Sequence, residues 1–166
     1  MEQSPLRLEH YNLQRVSLTP LPGAEPTQLG GYANFGNARL GSKVTTGWLT
    51  LDDGEKRHTV ELSLTGGPKE PGATFPYEFE ISYIGIFDAR ALPDDKRDDL
   101  VMVNGSSMLY GIARETLMGL TIRCELGAMM LPSVVFTELA ERRAREAAAR
   151  LQRAPATPAT PAEQAV

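Results

Sequence analysis

The chain reads as one α+β domain, a four-stranded antiparallel sheet with two helices packed on one side. Three observations lead there. Strand-like runs fill the first half and helix-like runs the second, which is the order of an α+β layer structure. The 166 residues suffice for one core and leave little room for two. The apolar (42%) and charged (23%) fractions match those of globular domains.

The elements follow in order. Residues 6–13, LRLEHYNL, form a first strand. Residues 14–37 are a mixed connection marked by Pro20, Pro22, Gly23, Pro26, Gly30, Gly31 and Gly36. KVTTGWLTL, 43–51, has the Val, Thr and Trp content of a strand. Asp53-Gly54 then signals a hairpin. HTVELSL, 58–64, places Val60, Leu62 and Leu64 on one face and Thr59, Glu61 and Ser63 on the other. FPYEFEISYIGIF, 75–87, repeats the alternation, with Tyr77, Phe79, Ile81 and Tyr83 opposed by Glu78, Glu80 and Ser82. Hairpin-type links between successive strands predict an antiparallel sheet with one wetter face.

The helical half opens with a short helix over DDKRDDL, 94–100. A second begins at about Ser107 and runs to 123, with Leu109, Ile112, Ala113, Thr116, Leu117 and Leu120 at helical spacing. Asn104-Gly105 is read as the turn before it, and Ser106 or Ser107 as its cap. LGAMMLP, 126–132, is an apolar linker. Ser133 caps a last helix to about 152, supported by Glu138–Arg142, Glu141–Arg145 and Glu146–Arg150 at about 0.3 kcal/mol each. The domain is set at residues 1–153. The tail, 154–166, is low in complexity and reads as disordered.

Charge and composition exclude several functions. A net charge of −4 gives no electrostatic reason for a nucleic-acid partner or an anionic membrane surface. No apolar run is long enough to span a bilayer, and MEQSPLRLEHYN lacks the basic start and apolar core of a secretory signal. Cys124, the single cysteine, excludes an intrachain disulfide and fits a reducing cytosol. It reads as a packed residue near a helix end, because His10 and His58 lie in strand sequence with nothing linking them to it.

The catalytic motifs fail one by one. In a nucleophile elbow around Ser107, Leu109 stands where the second glycine of Gly-x-Ser-x-Gly is required. The glycine-rich run LGGYANFGNARLGSK lacks the Gly-Lys-Ser/Thr ending of a phosphate loop. Glu78 and Glu80 share a strand face, read first as solvated. No His, Cys or carboxylate cluster has metal-ligand spacing, and the arginines of the last helix alternate with glutamates. No catalytic residue, metal or cofactor is expected. What remains is apolar residues beyond the needs of one sheet and two helices: Trp48, Phe75, Tyr77, Tyr83, Ile84, Ile86, Phe87, and the run Met129, Met130, Leu131. Methionines suit promiscuous binding surfaces.

Taken together, the order of elements and the residues resemble the SecB family of export chaperones over about residues 6–152. The resemblance is carried by the strand ending Tyr83-Ile84-Gly85-Ile86-Phe87, by Ala113-Arg114-Glu115, and by Leu131-Pro132 with Phe136 opening the last helix. It implies a cytoplasmic homotetramer, a dimer of dimers, with Tyr110, Ala113, Arg114 and Leu117 at the assembly interface. It implies an ATP-independent holdase that binds unfolded preproteins in apolar grooves and delivers them to SecA without inserting into the membrane. Client contact is assigned to Trp48, Met129, Met130 and Leu131, and SecA contact to Glu78 and Glu80. Departures from the family pattern are Tyr110-Gly111-Ile112 in place of Phe-Pro-Tyr, and Leu126-Gly127-Ala128-Met129 where a Gly-Phe-Pro segment is usual. Arg15 and Thr19 stand where acidic first-strand residues would be. The alternatives are a SecB-like chaperone dedicated to one partner, such as the antitoxin of a toxin–antitoxin system, and a hydrolase using Ser107 or Cys124.

Overall fold

The computed structural model describes residues 4–24, 31–70, 74–142 and 145. These residues include four strands: β1 Arg7–Pro20, β2 Ala38–Thr50, β3 Lys56–Pro68 and β4 Tyr77–Asp88. They form one sheet in the order β1-β4-β3-β2, antiparallel throughout. A helix, α1, covers Arg97–Thr121, and a second, α2, is described over 137–142.

The four expected strands are all there, but β1 is longer than expected and its first link is not a hairpin. It pairs with β4, at the far side of the sheet from β2. The connection 21–37 therefore crosses from one sheet edge to the other. Three inter-strand steps are only about 14 Å, well within the reach of that much chain. Two bulges explain the length. The ladder with β4 shifts between Leu8 and His10 and again between Leu13 and Arg15. Each shift inserts one residue and resets the face. Leu8, Tyr11, Leu13, Val16 and Leu18 thus lie opposite Phe87, Gly85, Tyr83, Ile81 and Phe79. Strict alternation fails across both shifts, so a period-2 reading stops at Leu13.

The short helix at 94–100 and the helix from Ser107 are a single helix of 25 residues. Asn104-Gly105 is no turn, and neither serine is a cap. Ser106 is fully buried within α1, and the Ser107 hydroxyl donates to the Val103 carbonyl at 2.9 Å. Gly105 marks the closest approach to the sheet. A Cβ there would sit 2.9 Å from Val60 Cγ2 and 3.2 Å from Phe87 Cζ. The glycine lets the helix axis come down onto β3 and β4, which offsets its poor helix propensity. Asp98 and Asp99 in the first turn face the positive end of the helix dipole.

The core lies between the inner faces of β3 and β4 and the stripe Val101, Leu109, Ala113, Leu117 of α1. Val60, Leu62, Phe79, Ile81 and Phe87 are each at most 3% exposed. The last helix begins at 137; residues 133–136 are not helical, so Ser133 does not cap it. Arg145 does pair with Glu141 at 3.2 Å. The Glu146–Arg150 pair and the tail 154–166 lie outside the described residues. Among those described, no helix is long and apolar enough to cross a membrane.

Candidate functional site

The end of α1 anchors the segment that builds the site. Thr121, fully buried, donates its hydroxyl to the Leu117 carbonyl and accepts from the Met129 amide, both at 2.7 Å. The Tyr77 hydroxyl donates to the Gly127 carbonyl at 2.7 Å. Burial, and secondarily the nearby Cys124, push the Tyr77 phenol up to about 12. Gly127 has φ +88°, which favours glycine at this turn. Ala128 then bridges to the 31–33 segment through backbone bonds to Gly31 and Ala33. Further on, the Tyr110 hydroxyl donates to the Pro132 carbonyl, and its ring meets Phe136 edge-on at 5.7 Å. Burial raises this phenol too. The 127–132 stretch is thus held to the core by side-chain hydroxyls at both ends, and Phe136 by a ring contact.

Between this segment and β2 lies a cleft of about 700 Å3. Leu64, Phe79, Tyr110 and Leu131 form its floor, Leu40 one wall, and Val134, Val135, Phe136 and Leu139 the other. Glu138, Arg142 and Arg145 stand at the rim. Val135 is 77% exposed and Leu40 40%. Apolar side chains exposed around an open cleft are a feature of binding surfaces in general. Among its described lining residues, none is a nucleophile paired with a base. The Cys124 thiol, away from it, contacts the Leu120 carbonyl at 3.7 Å. Among the described residues no metal-ligand cluster exists.

The residues singled out from sequence fall in different places. Met129 and Leu131 are enclosed by the core, Leu131 still reaching the cleft floor, while Met130 is half-buried. Trp48 is far along β2, exposed, with its ring against the His58 imidazole at 3.7 Å. Tyr110, Ala113 and Leu117 belong to the α1 stripe that faces this chain's own sheet, and Arg114 is half-buried beside them. The outward face of α1 carries Ser107, Gly111, Glu115 and Gly119 instead. Glu78 and Glu80 lie on the outer sheet face, and Glu80 pairs with Arg15 at 3.3 Å. Sequence reasoning missed Leu40, Val134, Val135 and Leu139. The signal was available: Val134, Val135 and Phe136 are three consecutive apolar residues just past a proline.

At the hairpin end of the sheet, a charge network ties β1, β3 and β4. Asp88 accepts from Arg90 and Arg7, Arg90 also reaches Glu55 at 3.0 Å, and Arg57 donates to Glu9 at 2.8 Å. The Arg90 guanidinium foremost, against the opposing effect of burial and with help from Arg7, holds the Asp88 carboxyl far below the usual carboxylate range.

Known proteins resemble this chain in sequence and in fold. A protein-export protein SecB from Rhodopseudomonas palustris (strain TIE-1) is 32% identical over 62 residues, 37% of this chain and 39% of that protein's length. The match thus spans well under half of the curated relative. A solved Mycobacterium tuberculosis SecB-like chaperone, in complex with a ChAD peptide from the HigA1 antitoxin, superposes with a TM-score of 0.51. It is 12% identical, with 79% of this chain and 91% of that chain covered, a likeness of fold. The family described as preprotein translocase subunit SecB matches residues 40–147, well over half of the sequence, and the chain belongs to the SecB family.

Proposed function

We propose that this SecB-family chaperone holds unfolded preprotein segments in the cleft between β2 and residues 131–139, without nucleotide, and keeps them competent for export. The observation that carries the reading is the apolar cleft itself, fixed open by the Tyr110 hydroxyl on the Pro132 carbonyl and floored by Leu64, Phe79 and Leu131. SecB-family chaperones are not enzymes, and a cleft of this composition binds without transforming what it holds. Leu40 and Val135 take the client contact first assigned to Met129, with Leu131 beneath them; Met130 and Trp48, also assigned to the client, lie outside the lining of this cleft.

A homotetramer built as a dimer of dimers fits the surface this chain leaves uncovered. β1 is an edge strand, and Tyr11, Leu13 and Val16 on its inner face are 47%, 45% and 41% exposed. An uncovered strand edge with an apolar face invites a second copy. The cytoplasm is the compartment proposed, and delivery to SecA through Glu78 and Glu80 the proposed hand-off. One observation favours a narrower role. The ion pair from Arg15 to Glu80 places a cation where a basic partner would seek only acids, which suits a chaperone dedicated to one partner, such as an antitoxin.

Aggregation of a chemically unfolded client on dilution, followed by light scattering without nucleotide, tests the reading. Suppression near one oligomer per client supports it, and unimpeded aggregation refutes it. Retention of SecA by the intact oligomer, lost on Glu80→Lys, separates the general export role from the dedicated one.

A further inference from the structure

The cleft ends where the described chain ends. Its helical wall is Glu138, Leu139, Arg142 and Arg145, which fall on one side of α2 at i, i+1, i+4 and i+7. Arg145 is thus both a rim residue of the cleft and the last described residue. Twenty-one residues follow it in the sequence, and they start beside an open apolar surface.

That part of the sequence has a pattern of its own. Arg153 and Glu163 bracket nine uncharged residues, APATPATPA. Pro155, Pro158 and Pro161 recur at an interval of three. Three residues make one turn of the polyproline II helix, so in that conformation the three rings line one edge, about 9 Å apart. In this form proline-rich segments enter grooves lined by aromatic side chains, at a low cost in entropy. A stretch too poor in large apolar residues to build a core can therefore still be bound by one. The lack of charge removes the main penalty for entering an apolar site.

The cleft offers a matching surface. Phe79, Tyr110 and Phe136 are among its lining residues, with Leu40, Leu64 and Leu131 beside them. The lengths match as well. From Pro155 to Pro161 a polyproline II segment spans about 19 Å. The helical wall from Glu138 to Arg145 is about 10 Å long, and residues 134–136 add up to about 10 Å more. Ten steps of chain separate Arg145 from Pro155 and reach at most about 35 Å, enough to return along the whole cleft.

We propose that residues 154–162 occupy the cleft in the polyproline II form, with Pro155, Pro158 and Pro161 against Phe79, Tyr110 and Phe136, and that an unfolded client must displace them. This rests on the cleft reading above and adds to it a built-in competitor. A tethered segment competes at an effective concentration on the order of millimolar, so its own contacts can be weak. A tail that fills roughly seven to nine tenths of the clefts lowers the apparent client affinity about three- to tenfold.

Two measurements on the full chain test it. In the first, Pro155, Pro158 and Pro161 are all replaced by Ser, which alters no residue of the core or the cleft lining. Titration calorimetry with an uncharged ten-residue peptide carrying two phenylalanines gives the affinities. The triple variant binds this peptide roughly three- to tenfold tighter than the unchanged protein, and Val135→Asp weakens binding by both. In the second, photoreactive benzoylphenylalanine replaces Thr157. Its adducts fall on residues 40–42 or 131–139, and they are lost with excess peptide or with the three serines. Equal affinity of the two proteins, with Val135→Asp still weakening the peptide, overturns the tail as occupant and leaves the cleft standing. So do adducts elsewhere, or adducts that persist with excess peptide and with the three serines. Peptide binding indifferent to Val135→Asp, or no binding by either protein, overturns the cleft reading and the tail's place in it.

Discussion

The middle and the margins of the sheet are built to different ends. On β3 and β4, inner-face Val60, Leu62, Phe79 and Ile81 are at most 3% exposed. On β1 and β2, inner-face Leu13, Val16, Leu40 and Trp48 are 40% exposed or more. All of these residues are large and apolar, so composition does not separate them. Width does. A helix with its side chains is about 10 Å across, and four strands at about 4.8 Å spacing span roughly twice that. One helix covers two strands, and α1 covers the middle two. The margins are the surfaces that the proposed function uses: β1 for another copy, β2 for a bound segment.

Perturbing each part should break different properties. The largest effect belongs to the covered middle. Leu62→Ala should cost about 2–5 kcal/mol in chemical denaturation; a loss well under that would mean the middle of the sheet is loosely packed. Next comes the β1 margin. Leu13→Lys with Val16→Lys should shift the mass in analytical ultracentrifugation toward that of one chain, and an unchanged mass would clear β1 of any role in assembly. On the β2 side, Val135→Asp places an unpaired charge in the cleft wall. Client affinity should fall roughly tenfold or more, while the melting temperature barely moves because the residue is already mostly in solvent.

Smaller effects probe the polar groups in the middle. The Ser106 hydroxyl, fully buried in α1, has no hydrogen-bond partner among the described residues. Ser106→Ala should therefore stabilise the protein by about 1 kcal/mol, and a destabilised variant would reveal a partner for that hydroxyl in the assembly. Tyr77 supplies the pH dependence. Its phenol goes from 10.0 to about 12 on folding. Its contribution is thus fully present below pH 10 and is lost as pH rises toward 12, because the unfolded chain releases the proton first. Tyr77→Phe should flatten the fall in stability over that window; an unchanged slope would assign alkaline unfolding to other groups.

The difference between middle and margin also decided what was legible. The alternation of Val60, Leu62 and Leu64 and of Tyr77 to Tyr83 located β3 and β4, since strands buried on one face carry a clean period of two. β1 was cut short at Leu13 because its bulges break that period. Its place beside β4 was not legible, since choice of partner is a long-range matter. Gly105 was read as a helix break on local propensity, whereas packing against Val60 and Phe87 governs it. The cleft was half visible. The Met129–Leu131 run signalled an apolar surface, but which of its residues turn inward depends on Thr121 and Tyr110 gripping the backbone from other elements.

The placement of β1 has a bearing on the birth of the protein. Arg7 meets Asp88 across a separation of 81 residues, so β1, made before the other three described strands, has no ladder to join until β4 follows. At typical synthesis rates that interval is roughly 4–16 s. During it Tyr11, Leu13 and Val16 travel as an unpaired apolar strand. For those seconds the nascent chaperone has the chemistry of the chains its finished copies are proposed to hold.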